Sequence, residues 1–378
     1  MSETHSAVTY RERLRDARRI VLKAGTSILT SKKGLFRKKT IQRLGKSVLT
    51  LVHQKHEVVL VSSGAIALGM ETLGLKHRPA QLGKLQACAA IGQGKLMRAY
   101  EEFFSKQGVH TAQVLLTRDA LEARQRFLNV KRTFEELLAM KVLPIVNEND
   151  TVATEEITFG DNDLLSVWVA NLVHADLLVI LSDVDGFYLG DGSRIRVVEE
   201  WRQIEKTLFP HLRDKKKART VGGMKAKLDA ARLAMQSGIP LLLVNGHEEG
   251  ILEKVISGED VGTLFAAGER RRTSRENWIA FTAPKKGSIS VDRGAYEALV
   301  RGRKSLLARG VLQHEGEFKR GDIVELCFEK QVFGRGITRY SNGELSKIAG
   351  RKTEEIKELL GYKDKDEMIH SNDLVVWG

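Results

Sequence analysis

Residues 19–30 read RIVLKAGTSILT, and the fold turns on them. Ile20-Val21-Leu22 is an apolar strand pattern that runs straight into Lys23 and then into the small residues Ala24-Gly25-Thr26-Ser27. An ammonium suits a buried strand end badly unless something there takes its charge. Two explanations compete. Either the lysine stem reaches past the strand to solvent, or the strand end faces an anion and the small residues let backbone N–H groups approach it.

The pattern recurs outward from this stretch. Apolar runs at 57–62 (EVVLVS), 109–115, 142–147, 176–182 and 240–245 read as further strands, and helical patterns lie between them at 85–106, 124–140, 162–174 and 223–237. Strands that are nearly continuous in apolar residues and alternate with helices predict an α/β protein, a three-layer α/β/α sandwich around a mainly parallel sheet. Ligands of such sheets bind beyond the carboxyl ends of the strands. There the chain places Lys23 to Ser27, then Ser62-Ser63-Gly64-Ala65, then Asn147-Glu148-Asn149-Asp150, then Ser182-Asp183-Val184-Asp185-Gly186. Each reads equally well as a turn; four at one sheet edge read as a site. A basic stretch, KKKARTVGGMKAK (215–227), opens a helix with Gly222-Gly223 and reads either as a phosphate clamp or as a solvated loop.

Bulk properties narrow the function classes. A chain of 378 residues predicts two domains. No apolar run approaches the roughly 18 residues of a spanning helix, and the polar start of the sequence has no apolar signal core, so a cytoplasmic protein away from membranes is expected. Cys88 and Cys327 match no metal or redox spacing and read as reduced core thiols. The net charge is +13, but residues 284–378 hold 18 Lys and Arg against 15 Asp and Glu, so the excess lies in the first domain. A positive field there suits nucleic acid or a polyanionic small molecule. There is no GxxxxGK[ST], no GxGxxG after the first strand, and no histidine cluster to suggest zinc.

Taken in order, VLKAGTSILT (21–30), VSSGAIALG (61–69), VLPIVNENDTVAT (142–154) with FGDNDLLS (159–166), LSDVDGFY (181–188) and VGGMKAK (221–227) resemble the amino-acid kinases, and within them the glutamate 5-kinase family. The resemblance implies transfer of the ATP γ-phosphoryl group to the side-chain carboxylate of L-glutamate, the first step of proline synthesis. It implies catalytic roles for Lys23, Lys227 and Asp163, with Asp163 holding the two lysines. ATP contacts are implied for Lys23, Gly25, Ser182, Asp183, Val221, Gly222, Gly223, Met224, Lys225, Ala226 and Lys227. Substrate contacts are implied for Ser63, Gly64, Asp150 and Asn162. Mg²⁺ is implied as held mainly through ATP phosphates, with no dedicated protein ligands. The family pattern carries hydroxyl residues near the glycine pair that Thr220-Val221 and Ala226 do not reproduce, so hydroxyl contacts are not carried over there. The family further implies a reductase that consumes the glutamyl phosphate, feedback inhibition by proline, and a homo-oligomer, dimer or tetramer. Another small carboxylic acid as substrate is the enzyme alternative.

The style of the sequence changes after GTLF (262–265). The expected organisation is a polar extension (1–18), a kinase domain (19–267), a basic linker (268–283), a small mainly-β barrel domain (284–362) and a tail (363–378) with no functional reading. The strands GDIVELCF (321–328) and GRGITRY (334–340) resemble a PUA domain, which implies RNA as an alternative partner.

Overall fold

The computed structural model describes residues 10–31, 36–152, 162–209, 218–268, 271–362 and 365–377, without the side chains of 38, 207 and 218–222. Two units divide the chain after Arg271.

In the first unit the expected strands are present: β1 Arg19–Ala24, β2 Glu57–Ser62, β3 Thr111–Leu116, β4 Leu143–Glu148, β5 Leu177–Ser182 and, after three short strands, β9 Leu241–Asn245. The short ones are β6 Phe187–Tyr188, β7 Arg194–Ile195 and β8 Val197–Val198, and β10 Thr263–Phe265 follows β9. Eight of the ten form one sheet in the order β3-β4-β2-β1-β5-β9-β10-β8, while β6 and β7 pair as a separate ribbon. Pairing is parallel from β3 through β9, and only β10 runs antiparallel to its neighbour β9. β1, β2, β4, β5 and β9 are buried along nearly their whole length, which requires cover on both faces. The helices Lys38–His53, Ala65–Thr72 and Leu82–Phe104 pack together, and Asn162–Leu172 packs on Ala218–Ser237.

The chain leaves β1 toward β2 on one side, and β5 joins β1 on the other, so the strand order reverses between β1 and β5. Their carboxyl ends therefore open a crevice. Register sets its walls: Lys23 lies beside Val61 of β2 and Ile180 of β5, and Ala24 beside Ser62 and Leu181.

The opening residues from Tyr10 onward, expected as a polar extension, are anchored in this unit. Arg11 is buried, donates to the carbonyls of Val261 (2.7 Å) and Gly262 (3.2 Å), and pairs with Asp260 at 3.1 Å.

The second unit has its own apolar core, which includes Ile289, Phe318, Val324, Leu326, Tyr340 and Ile348. Its strands are β11 Lys285–Val291, β12 Leu306–Leu307, β13 Val311–Gly316, β14 Ile323–Phe328, β15 Gln331–Ile337, β16 Glu367–Ile369 and β17 Leu374–Val376. Five of them form a sheet in the order β13-β11-β14-β15-β17. Trp278, Ile279, Ala280 and Ala283 of the expected linker are buried, and the described part of the tail supplies β16 and β17, which the sequence did not foretell.

Candidate active site

The strand-end lysine does not reach solvent. Lys23 is 2% exposed, and its Nζ lies 2.6 Å from Asp163 Oδ1. Lys227 Nζ approaches the other oxygen, Oδ2, at 3.1 Å. One carboxylate thus holds two ammoniums, each on its own oxygen. Asp163 follows Asn162 at the start of the helix Asn162–Leu172, where an acidic side chain also favours the positive helix end. Burial pushes the Asp163 carboxyl up, but the Lys23 and Lys227 charges and their hydrogen bonds outweigh it and hold the group below its ordinary value.

Glycine makes room for this arrangement at two places. A Cβ on Gly25 would stand 3.2 Å from Lys23 Nζ. Gly64 precedes the helix Ala65–Thr72 with φ +101°, a backbone that L side chains rarely adopt.

Asn162 ties two strand ends together. Its Nδ2 donates to the Ser62 carbonyl (2.9 Å), Ser63 Oγ (3.0 Å) and Asn147 Oδ1 (2.9 Å). Asn147 in turn donates to Gln93 Oε1 at 2.9 Å, and Ser62 Oγ meets the buried Tyr100 hydroxyl at 2.9 Å. The carboxyl ends of β2 and β4 are therefore locked to the residue next to Asp163.

These residues enclose a cavity of about 930 Å³. Lys23, Gly25, Ser63, Gly64, Asp150, Asn162, Ser182, Asp183, Gly223, Met224 and Lys227, all singled out in the sequence, line it. Asp163 stands behind the lysines rather than on the wall. Asp150 is partly buried; burial pushes its carboxyl up and Arg78 draws it partly back. Ser182 Oγ donates to Asp183 Oδ1 at 3.2 Å.

The nucleotide segment differs from expectation in form. The helix starts at Ala218, not 223, so Gly222 and Gly223 lie within its early turns. Glycine costs about 1 kcal/mol inside a helix relative to alanine, and the buried face Leu228, Ala230, Ala231, Ala234 and Met235 outweighs that. Val221 and Gly222 are described only as backbone. Lys225 turns outward, 65% exposed, and pairs with Asp229 at 2.9 Å. Neither it nor Ala226 lines the cavity. Residues 153–161 and 215–217, parts of three quoted stretches, lie outside the described residues.

Sequence reading missed Arg78 and Gln86, which line the same cavity. Neither sits in a glycine-rich or acidic motif; the one usable signal was an arginine in the polar connection between two helices.

The family model described as "Amino acid kinase family" matches residues 18–245, and that of the "PUA domain" matches 287–360. A glutamate 5-kinase of Myxococcus xanthus is 45% identical over 375 residues, spanning 98% of this chain and 99% of that protein. One of Carboxydothermus hydrogenoformans is 45% identical over 371 residues (97% and 99%), and one of Moorella thermoacetica 44% over 372 (97% and 98%).

Proposed function

Because the chain belongs to the amino acid kinase family, within its glutamate 5-kinase branch, we propose that the cavity at the carboxyl ends of β1 and β5 aligns L-glutamate with ATP and transfers the γ-phosphoryl group between them. The observation that carries this reading is the pair of ammoniums, Lys23 and Lys227, held from opposite ends of the unit's sequence on one buried carboxylate.

The nucleophile needs no base. A free glutamate side chain has a pKa of about 4.3 and is ionised at neutral pH. One carboxylate oxygen attacks the γ-phosphorus, the bond to the β–γ bridging oxygen breaks, and ADP leaves with that oxygen's charge. The obstacle is the approach of one anion to another, so catalysis consists of alignment and neutralisation. Lys23 meets the transferring group from the β1 side and Lys227 from the nucleotide side. Asp163, held below its ordinary pKa, stays a fixed counter-charge and takes no proton.

At the acceptor end, Asp150 takes the α-ammonium, and Ser63 with the amides near Gly64 takes a carboxylate. Asn162 acts chiefly by holding Ser63 and Asn147, since its amide nitrogen is already directed at three protein oxygens. Arg78, close enough to Asp150 to affect its titration, adds a cation for the α-carboxylate. At the donor end, Ser182 and Asp183 flank the ribose and base, and Gly223, Met224 and Lys227 flank the phosphates. Among the described residues a Cβ on Gly223 would meet nothing within 4 Å, which leaves room for a ligand. Of the lining carboxylates, Glu148 and Asp150 lie at the end of β4 and Asp183 at the end of β5, and none pairs with either lysine, while Asp163 is committed to both. This donor set suits a Mg²⁺ held through ATP oxygens, where it would offset phosphate charge.

The glutamyl phosphate product is a labile acyl phosphate, which calls for a reductase that consumes it. Proline, which shares glutamate's α-ammonium and α-carboxylate, fits as an inhibitor at the acceptor end. A cytoplasmic homo-oligomer, dimer or tetramer, completes the proposal. The test is hydroxamate formation from ATP and a panel of amino and N-acyl amino acids. Glutamate-specific product is expected; product from N-acetylglutamate or aspartate alone would overturn the reading.

A further inference from the structure

A second cavity, of about 440 Å³, shares no lining residue with the first. Arg37, Lys39, Thr40, Arg43 and His247 line it. Its size falls in the range of small-molecule sites, roughly 300–1,000 Å³.

Its chemistry is one-sided. Among the described residues, none of Arg37, Lys39 and Arg43 pairs with a carboxylate. Arg43 instead donates to the Gly246 carbonyl at 3.2 Å and meets His247 Nδ1 at 3.2 Å. Because a guanidinium only donates, Nδ1 accepts and the neutral ring carries its proton on Nε2. Burial and the Arg43 charge lower the His247 pKa, with Asp183 opposing and Arg37 adding to the effect.

Two features make the cavity more than a basic surface. The helix Lys38–His53 begins at its wall with no acidic residue in the first turn, and its N-cap residue, Arg37, makes no capping side-chain hydrogen bond among the described residues. Such an end favours anions. Thr40 is 6% exposed, yet it lines the cavity with a hydroxyl that makes no hydrogen bond among the described residues. That hydroxyl opens onto the cavity, where a ligand oxygen can meet it. Converging cations repel one another, the Asp183 charge acts on His247 without pairing with any of the three, and an anion would relieve the repulsion.

We propose that this cavity is a second anion site, separate from the reacting centre, which takes a small molecule bearing two phosphate groups. The wall between the sites is narrow. Gly246 N donates to the Ser182 carbonyl at 2.8 Å, and a Cβ on Gly246 would stand 2.8 Å from Leu181 Cβ and 3.1 Å from Ile28 Cδ1.

The test is calorimetric titration of the full chain. A non-hydrolysable ATP analogue is titrated first, and its own binding curve reports on the nucleotide site independently. With that site saturated and free Mg²⁺ held constant, inorganic pyrophosphate and, separately, a bisphosphorylated sugar are added. The expected result is one further molecule of either probe bound per chain. The Arg37→Ala/Lys39→Ala double variant should weaken that binding about tenfold or more, since it removes two charged donors. It should leave glutamate phosphorylation and the melting temperature unchanged. Thr40→Val, which keeps the shape of the buried side chain, should weaken it several-fold on its own. If neither probe binds beside the analogue, or if both bind the double variant as tightly as the parent, the second site does not exist.

Discussion

Lys23 and Asp163 are among the most enclosed charged groups of the described chain, at 2% and 0% exposure. Removing one partner of such a pair typically costs about 3–5 kcal/mol, because the other charge is left stranded. Lys23→Ala is therefore expected to lower both the melting temperature and kcat, the latter by roughly 10²–10³-fold. Lys227, at 14% exposure, should show a comparable kcat loss with a smaller thermal shift. Hydroxamate assays beside thermal melts check this, and near-normal turnover of the Lys23 variant would remove the mechanism. The pH consequences run in opposite directions at two carboxylates. Asp163 is depressed, so its stabilising contribution is complete above the ordinary carboxylate pKa, about 3.9, and is lost as pH falls through the lower folded value. Asp150 is raised, so its ionised form is lost at a less acidic pH than usual. The KM for glutamate should then rise on acidification sooner than an ordinary carboxylate would allow, and Asp150→Asn should give a high KM nearly independent of pH. A steady-state series down to about pH 4.5 decides it; an unchanged KM in the variant would take Asp150 out of the substrate site. Arg78→Gln should raise the KM for glutamate about tenfold and narrow the preference for glutamate over its α-amide. An intact preference would assign Arg78 to the surface.

Among the elements, the crossing of the helices Ala65–Thr72 and Leu82–Phe104 is the tightest constraint near the cavity. A Cβ on Gly92 would stand 1.8 Å from the Ala65 carbonyl oxygen, and one on Gly69 equally close to that of Cys88. Gly92→Ala must push the helices apart, at about 1–3 kcal/mol for overpacking. Because Ala65 follows Gly64 on the cavity wall, the KM for glutamate should rise with the loss of stability. A melt and a KM measured together test the link, and a change in the melt alone would break it. What the sequence disclosed follows from where each element's information resides. β1, β2 and β5 announce themselves through runs such as VVLV and LLVIL, because strands covered on both faces admit few polar residues. β6, β7 and β8 have two residues each, too short for any periodicity to register. Lys23 was legible as an anomaly, but its partner lies 140 residues away, and the parallel pairing of β1 and β5 brings the helix that leads into β5 within reach. Asn162 looked like a substrate ligand by position; that its amide is directed at three oxygens on the ends of β2 and β4 is a matter of tertiary placement that no local pattern encodes.

For the molecule as a whole, every residue lining the reacting cavity falls between Lys23 and Lys227, inside the first unit. That unit closes on its last described residue, Arg271, which bonds the Asp176 carboxylate (2.8 Å) and the Ala175 carbonyl (2.7 Å). A chain ended after Arg271 is expected to fold and to retain glutamate phosphorylation within about tenfold. Saturating it with the ATP analogue at a hundred times Kd should stabilise it by about 2.7 kcal/mol. An inactive but folded product would mean that the PUA unit takes part in the reaction. Asn162 and Asp163 carry a last implication. In the proposed mechanism one braces the acceptor pocket and the other the donor's cationic clamp, and a single peptide bond joins them. Any drift of that helix start must therefore shift both reactants in step, keeping their alignment while moving the pair. Evolution or engineering at this spot has no separate handles: retuning affinity for the amino acid will retune the grip on the nucleotide too.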